Sequence, residues 1–209
     1  MSTWSDMLTF VTKWYDGPLE LSKEGYDGYG ILGMLGGIIL RSLPSANLLE
    51  IGIGRSSIYM SRLANKYNRK YYCCDVDAEK VKAIVAVPGF FQSSDIVFTG
   101  TSDNFLIPIN FENIGLVFID GDHHYEQVKK DFDTIFSMLL ENGYIFLHDT
   151  YPPTEDMIAE TFCGSAYKLK QELKEREDLE CFTFNKILGY GFGITMVRKI
   201  PKDLPYYQR

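Results

Sequence analysis

The sequence predicts an α/β protein built on one doubly wound, mostly parallel sheet of seven strands, with an antiparallel C-terminal hairpin and a helical cap at the N-terminus. Three observations predict it. From residue 46 onward short β-rich apolar runs alternate with amphipathic stretches, the pattern of parallel strands covered by helices on both faces. The first run meets glycines and then a helix-type spacing, a strand-turn-helix unit. The last two runs stand under ten residues apart, too close for a crossover helix, and so pair antiparallel.

Each element follows from its own residues. The run 47–53 contains Gly52 and leads through Gly54 to Ser56 and Ser57, residue types that cap helix N-termini, and Tyr59, Leu63 and Tyr67 then fall four apart on one face. The run 70–74 closes on Asp75, after which Val81, Ile84 and Val85 mark a short helix stopped by Pro88 and Gly89. A third strand covers 95–99. The continuous apolar run 114–119, closed by Asp120, reads as a strand buried on both faces. From His124 the spacing of Val128, Phe132, Ile135, Phe136, Leu139 and Leu140 turns helical and is bounded by Gly143. Residues 144–147 make a fifth strand running into His148 and Asp149, and Tyr151, Pro152 and Pro153 force a loop. A helix is expected over 155–177, and strands over 179–184 and 193–198 around Gly189 and Gly191. Two helices precede the core, 3–15 with Trp4, Leu8, Val11 and Trp14 on one stripe, and 29–42. The expectation is a single domain, a cap in 1–45 over the active edge of the sheet and a cofactor-binding core in 46–209.

Composition narrows the function. With 209 residues, 45% hydrophobic and 23% charged, the chain suits one packed domain and excludes disordered, collagen-like and coiled-coil classes. A net charge of -7 repels phosphate backbones, so no nucleic-acid partner is expected. Cys73, Cys74, Cys163 and Cys181 show no ligand spacing and read as reduced thiols, which places the protein in the cytoplasm. The apolar run 31–40 is too short to span a bilayer, and the first seventeen residues lack a basic leader; neither membrane nor signal peptide is expected.

The chemistry concentrates at strand ends. Gly52 and Gly54 stand where a backbone approaches a ligand and a helix dipole faces it, although a plain tight turn needs the same residues. Asp75, 21 residues past Gly54, is placed to accept ribose hydroxyls, while Asp77 reads as the N-cap of the next helix. A nicotinamide dinucleotide usually needs a third glycine at the helix start, where this chain has Ser57. Glu50 is an anion positioned to neutralise the ammonium of S-adenosylmethionine. In a parallel sheet Asp120 converges with His148 and Asp149; two carboxylates and one imidazole suit Mg²⁺, Mn²⁺ or Fe²⁺. The plainer reading is that His148 and Asp149 only orient the loop before the prolines.

The pattern Glu50-x-Gly52-x-Gly54 resembles the first motif of the Rossmann-like S-adenosylmethionine-dependent methyltransferases, and the Asp75 strand resembles their second. Gly100-Thr-Ser-Asp103 is similar to the segment lining the adenine in small-molecule O-methyltransferases, Ser102 being the best match; a polar turn is the alternative. The stretch Ile119-Asp-Gly-Asp-His-His-Tyr-Glu126 with Asp131, followed by Gly143-Tyr-Ile-Phe-Leu-His-Asp149, resembles a family of metal-dependent O-methyltransferases that includes macrolide and antibiotic-sugar tailoring enzymes and cephalosporin hydroxylase-like proteins. The resemblance runs from about residue 46 to 150. It implies S-adenosylmethionine held by Glu50, Gly52, Gly54, Ser57, Asp75, Val76, Ser102 and Asp120, a divalent cation on Asp120, His148 and Asp149, catalysis by His123 as base with Asp120, and a small-molecule hydroxyl acceptor. His148 stands where the family usually has an acid, and His124 matches no family position and reads as the start of the helix. Two alternatives remain at this point, an NAD-dependent oxidoreductase, and a silent ligand-binding protein with the same fold.

Overall fold

The computed structural model describes residues 29–184 and 192–203. The expected helix over 3–15 and the loop with Gly189 and Gly191 lie outside them. The strands are β1 (Asn47–Ile51), β2 (Tyr71–Asp75), β3 (Ile96–Thr99), β4 (Ile114–Ile119), β5 (Tyr144–Leu147), β6 (Leu179–Phe184) and β7 (Ile194–Lys199). They form one sheet in the order β3-β2-β1-β4-β5-β7-β6. Pairs from β3 through β5 are parallel, and β7 runs antiparallel to both β5 and β6. The expected sheet and hairpin are present. Because the chain winds outward from β1 to β3 and then returns to β4 on the other side, the switch point lies between β1 and β4, where such sheets open a crevice at their carboxyl edge.

Alternation along each strand builds two cores. One face carries Leu48, Tyr71, Cys73, Leu116, Phe118 and Phe146, covered by α1 (Gly30–Ser42), α2 (Ser56–Tyr67) and α3 (Ala78–Val85). The other carries Leu49, Ile51, Tyr72, Cys74, Val117, Ile119, Ile145 and Leu147, covered by α4 (Ser102–Leu106), α5 (Tyr125–Met138) and α6 (Tyr167–Leu173). Each fully buried Leu, Ile or Phe contributes roughly 1.5–3 kcal/mol of burial, which is why the sheet's centre is apolar but for Glu50 and its hydroxyl partners.

The glycines of the 31–40 run explain how α1 fits. Gly33, Gly36 and Gly37 lie under Tyr59, Leu63 and Tyr67, the three residues that share one face of α2. A Cβ on Gly33 would stand 2.7 Å from Tyr59 Cδ1, and one on Gly36 2.6 Å from Leu63 Cδ1. Tyr67 Oη donates to Gly37 O at 3.1 Å. Small residues on one helix thus let large ones on its neighbour sink between them.

Several boundaries differ from expectation for local reasons. β1 ends at Ile51, because Gly52 turns with φ +88°. Ser56 and Ser57 do not cap α2; they are its first residues, preceded by Arg55, and the Ser57 hydroxyl serves Glu50 instead. Leu139 and Leu140 fall past the end of α5 but still bury apolar surface. The span 155–177 is not one helix. It holds a 3-10 turn (Glu155–Ile158), further turns, and α6. Gly164, at φ +53°, breaks it where the backbone presses on His123: an added Cβ would lie 2.4 Å from His123 O.

Gly52 and Gly54 separate sharply. A Cβ on Gly52 would meet Asp120 O at 2.1 Å and Gly121 Cα at 2.8 Å, whereas one on Gly54 meets nothing within 4 Å. Gly52→Ala combines a left-handed backbone with a clash against main chain and is expected to destabilise the fold by about 2–5 kcal/mol in urea denaturation. Gly54→Ala should stay within about 0.5 kcal/mol of wild type in the same experiment.

Candidate active site

Parallel pairing carries on one hydrogen bond past the strand ends and aligns the residues that follow them. Gly52 N donates to Cys74 O, Gly100 N to Asp75 O, Asp120 N to Ile51 O and His148 N to Ile119 O, at 2.8 to 3.1 Å. The glycine turn, Asp75, Asp120 and His148 therefore stand in one row along the carboxyl edge.

On the β1–β2 side the acids turn inward. Glu50 is 0% exposed; its Oε2 accepts from Ser57 Oγ at 2.6 Å and from Tyr71 Oη. Gly54 N in turn donates to Ser57 Oγ at 3.0 Å, so Glu50 braces the glycine turn from behind. Burial pushes the Glu50 carboxyl up to about 7, against the pull of the hydroxyls that donate to it. Its Oε1 is buried with no hydrogen-bond partner. Asp75 is also nearly buried. Its Oδ2 accepts from Ile53 N at 2.9 Å and pairs with Lys80 Nζ at 2.7 Å, and its Oδ1 accepts from Asp77 N at 2.8 Å. Asp77 is the N-cap of α3, as expected, accepting from Glu79 N and Lys80 N. Val76, between them, leaves 69% of an apolar side chain exposed.

Past β3, Thr101 caps α4 and Ser102 is its first residue. Gln127 Nε2, on α5, lies 3.1 Å from Ser102 Oγ, 3.3 Å from Asp103 Oδ1 and 2.9 Å from the buried Asp131 Oδ1. This amide ties α4 to α5 and fixes where Ser102 points. Burial raises the Asp131 pKa.

The β4–β5 side gathers four ionisable groups. His148 Nδ1 lies 3.1 Å from both Asp120 Oδ1 and Asp149 Oδ1. His123 Nε2 lies 3.0 Å from Asp149 Oδ2 and 3.9 Å from Asp120 Oδ1. Asp120, His123 and Asp149 each present a ligand atom, all within 4.8 Å of one another. His123 therefore belongs to the same cluster as the three expected ligands. Although burial opposes charge on His148, Asp120 and Asp149 outweigh it and raise its pKa to about 10. Burial likewise opposes ionisation of Asp120, but His148 and His123 hold its carboxyl well below the usual carboxylate range. The His123 pKa is raised, first by Asp120 and, against burial, by Asp149, the nearer carboxylate. His148 Nδ1 and Asp149 Oδ1 are buried yet make no hydrogen bond, because their approach lacks the angles for one. Asp149 is held at φ +57°, a conformation costing a non-glycine residue roughly 1–2 kcal/mol, and Thr150 N→Gly193 O at 3.3 Å fixes the chain just beyond it.

Sequence reasoning missed three participants. Tyr29 stacks on His148 with ring centroids 5.3 Å apart and donates to Asp120 Oδ2 at 3.3 Å; a lone tyrosine ahead of an apolar helix gives no signal for this. Cys163 is fully buried beside Asp149, and burial followed by that carboxylate pushes its thiol up to about 12. Ser165 N donates to His123 O at 2.8 Å, locking the loop that carries His123. His124 precedes α5, as expected, and pairs with Asp122 and Glu160 on the surface.

Comparison with known proteins defines the class. Residues 49–150, from β1 to just past Asp149, match a family model described as a methyltransferase domain. No curated protein sequence matches the chain significantly. Among solved structures, an O-methyltransferase from Bacillus cereus in complex with SAH is 14% identical with a TM-score of 0.68, covering 93% of this chain and 90% of its own. A cofactor-bound protein from MTB is 16% identical at TM-score 0.68, covering 93% and 88%. An SAH-bound methyltransferase from Podospora anserina is 16% identical at TM-score 0.65, covering 94% and 88%. At such identities the structures speak for the fold, and the family match speaks for what the fold carries. Residues 49–150 thus match a methyltransferase domain, and the solved structures share the fold that carries it. The oxidoreductase and silent-binder alternatives are not favoured.

The Glu50 environment gives a pH prediction. Its folded pKa is raised from the ordinary 4.5 to about 7, so its contribution is full below pH 4.5 and is lost as pH rises through 7. Glu50→Gln lacks this loss. In paired urea titrations the variant should gain on wild type from pH 5 to pH 8, approaching about 3 kcal/mol; parallel curves would show that Glu50 is ionised throughout.

Proposed function

We propose that the chain transfers a methyl group from S-adenosylmethionine to a hydroxyl oxygen of a small molecule, with Asp120, His148 and Asp149 holding a divalent cation and His123 acting as base beside Asp120. The observation that carries this reading is the convergence of Asp120, His123, His148 and Asp149 next to the Gly52–Gly54 turn. The SAH-bound O-methyltransferase of the same fold supports the oxygen acceptor. The four free cysteines support a cytoplasmic setting, and among the described residues no helix is long and apolar enough to cross a membrane.

The residues fit both groups. His148 Nδ1 stands 3.1 Å from Asp120 Oδ1 and from Asp149 Oδ1, the spacing of neighbouring ligands on an octahedral ion with bonds of about 2.1 Å, and His123 completes a group with the two carboxylates within 4.8 Å. The bondless, buried His148 Nδ1 and Asp149 Oδ1 are the atoms such an ion would engage. For the cofactor, Gly54 faces space the protein does not fill, Ser57 opens α2, Val76 offers a bare apolar surface for an adenine, and Ser102 stands at the start of α4. Asp75 would meet ribose hydroxyls only by sharing the oxygens now given to Ile53 N and Lys80. Glu50 acts through the turn it braces. The segment 1–45 is proposed to cap this edge, as Tyr29 does over His148.

A bound cation supplies Lewis-acid charge that makes the acceptor hydroxyl easier to ionise. His123 takes the proton while the acceptor oxygen forms its bond to the methyl carbon and the carbon–sulfur pair returns to sulfur. A methyl ether and S-adenosylhomocysteine result, with the proton on His123. Asp149, 3.0 Å from His123 Nε2, orients the imidazole. The glycine turn and Asp120 hold the reacting atoms in line at about 3 Å, where most of the rate is gained.

Titration calorimetry tests the cofactor half. S-adenosylhomocysteine should bind and NAD should not; Gly54→Ala should weaken binding about tenfold or more, and Lys80→Met, by freeing Asp75, should tighten it. Unchanged affinity in both variants would move the cofactor away from this turn. For the cation half, Asp149→Asn should weaken Mn²⁺ binding in an electron paramagnetic resonance titration while leaving S-adenosylhomocysteine affinity nearly unchanged. His123→Ala should keep Mn²⁺ and lower turnover about 10² to 10⁴-fold. Activity that survives chelator would leave Asp120 and His123 as a metal-free pair.

A further inference from the structure

Each acid of the strand-end cluster divides its two oxygens between different neighbours. Asp120 Oδ2 accepts from Tyr29 Oη at 3.3 Å, and Asp149 Oδ2 stands 3.0 Å from His123 Nε2. The other two oxygens turn to one atom, since both Oδ1 atoms lie 3.1 Å from His148 Nδ1. His148 Nδ1 and Asp149 Oδ1 are buried there without a hydrogen bond. Three ligand atoms thus face one another, and the second oxygen of each acid is held away from them by another side chain. On Asp120 that side chain is Tyr29.

Rigid structure places Tyr29. It immediately precedes α1, its carbonyl accepts from Gly33 N at 3.2 Å, and α1 is keyed to α2 through Gly33, Gly36 and Gly37. Its ring lies within 20° of parallel to His148 at 5.3 Å between centroids, and meets Phe118 of β4 edge-on at 5.9 Å. Phe118 in turn stands 6.1 Å from the His148 ring. Three rings in mutual contact fix the plane of the imidazole, and with it the direction of Nδ1. The same packing delivers the phenol to Asp120.

A carboxylate with one oxygen engaged by a hydroxyl meets a cation through the other oxygen alone, and this bears on which cation fits. Mg²⁺ keeps a near-octahedral shell with bonds of about 2.0–2.1 Å, whereas Ca²⁺ gathers roughly 6–8 oxygens at about 2.3–2.6 Å and readily takes both oxygens of one carboxylate. We infer that Tyr29 is a positioning residue that sets the cation preference of this site. By holding Asp120 Oδ2 it limits Asp120 to one ligand oxygen, and by stacking on His148 it aims Nδ1, so the site takes a small divalent cation and rejects Ca²⁺. The inference rests on the cluster being a cation site; proton transfer from the acceptor stays with His123.

Mn²⁺ binding followed by electron paramagnetic resonance, with Ca²⁺ as competitor, tests it without any methyl acceptor. Wild type should bind Mn²⁺ at least about tenfold more tightly than Ca²⁺. An imidazole ligand already favours Mn²⁺ over Ca²⁺, so the variants carry the test. Tyr29→Phe keeps the ring on His148 and removes the hydroxyl; it should bind Ca²⁺ more tightly than wild type does and narrow the Mn²⁺ to Ca²⁺ affinity ratio about tenfold. Tyr29→Leu removes the ring as well and should weaken Mn²⁺ binding about tenfold. An unchanged ratio in Tyr29→Phe, or one that narrows only through loss of Mn²⁺, would overturn the inference, because a loosened fold weakens both ions and does not tighten Ca²⁺. Mn²⁺ affinity unchanged in Tyr29→Leu, or Ca²⁺ bound as tightly as Mn²⁺ by wild type, would overturn it too. Wild type that binds S-adenosylhomocysteine but no Mn²⁺ would instead remove the cation reading beneath it.

Discussion

The close approach of the turn after β1 to the end of β4 is the constraint on which the rest depends. Gly52 lies so near Asp120 that no side chain fits between their backbones, and Asp120 N is hydrogen-bonded to Ile51 O. One contact therefore fixes the floor of the cofactor turn and the first acid of the ionisable cluster relative to each other. A methyl transfer needs two bound molecules aligned to a fraction of an ångström, and sharing a backbone contact is a stiffer way to align their sites than packing through side chains. The reversal of winding between β1 and β4 is what makes these two ends neighbours.

A second constraint is electrostatic. Asp120 and Asp149 are brought together where water is scarce, a placement that two carboxylates would resist on their own. His123 and His148 answer them, and Tyr29 covers the assembly with a ring on His148 and a hydroxyl on Asp120. The cluster's cost shows in the backbone, in the left-handed Asp149 and in polar atoms left without hydrogen bonds. Strain of that kind is held by surrounding structure, here the hydrogen bond from Thr150 N to Gly193 O and the hydroxyl chain Thr183, Thr195 and Thr150.

Much of this was legible in the sequence, and the part that was not has a physical reason. Period-2 and continuous apolar runs located the strands, since burial on both faces leaves little room for polar residues in β4 and β5. Asp120, His148 and Asp149 could be brought together before any coordinates because strand ends in a parallel sheet are neighbours by construction. The span 155–177 misled, because helical spacing in sequence does not reveal that Gly164 must bend left-handed to seat on His123. Tyr29 was invisible for a related reason. It meets His148 only through tertiary approach, across 119 residues, and sits in no local pattern.

The acids of the cofactor side show why residue type and position do not settle role. Glu50 and Asp75 stand where a ligand's ammonium and ribose would be met, yet both spend most of their bonding capacity on the protein. Glu50 holds Ser57, and through it Gly54 N; Asp75 holds Ile53 N on the other side of the same turn. The turn is thus suspended between two buried carboxylates, one from β1 and one from β2. With Ile53 N and Gly54 N already donating to Asp75 and Ser57, the course of its backbone is fixed by the protein itself. Fold stability is consequently tied to Glu50 and Asp75 and is independent of Gly54, whose missing side chain the fold itself does not require.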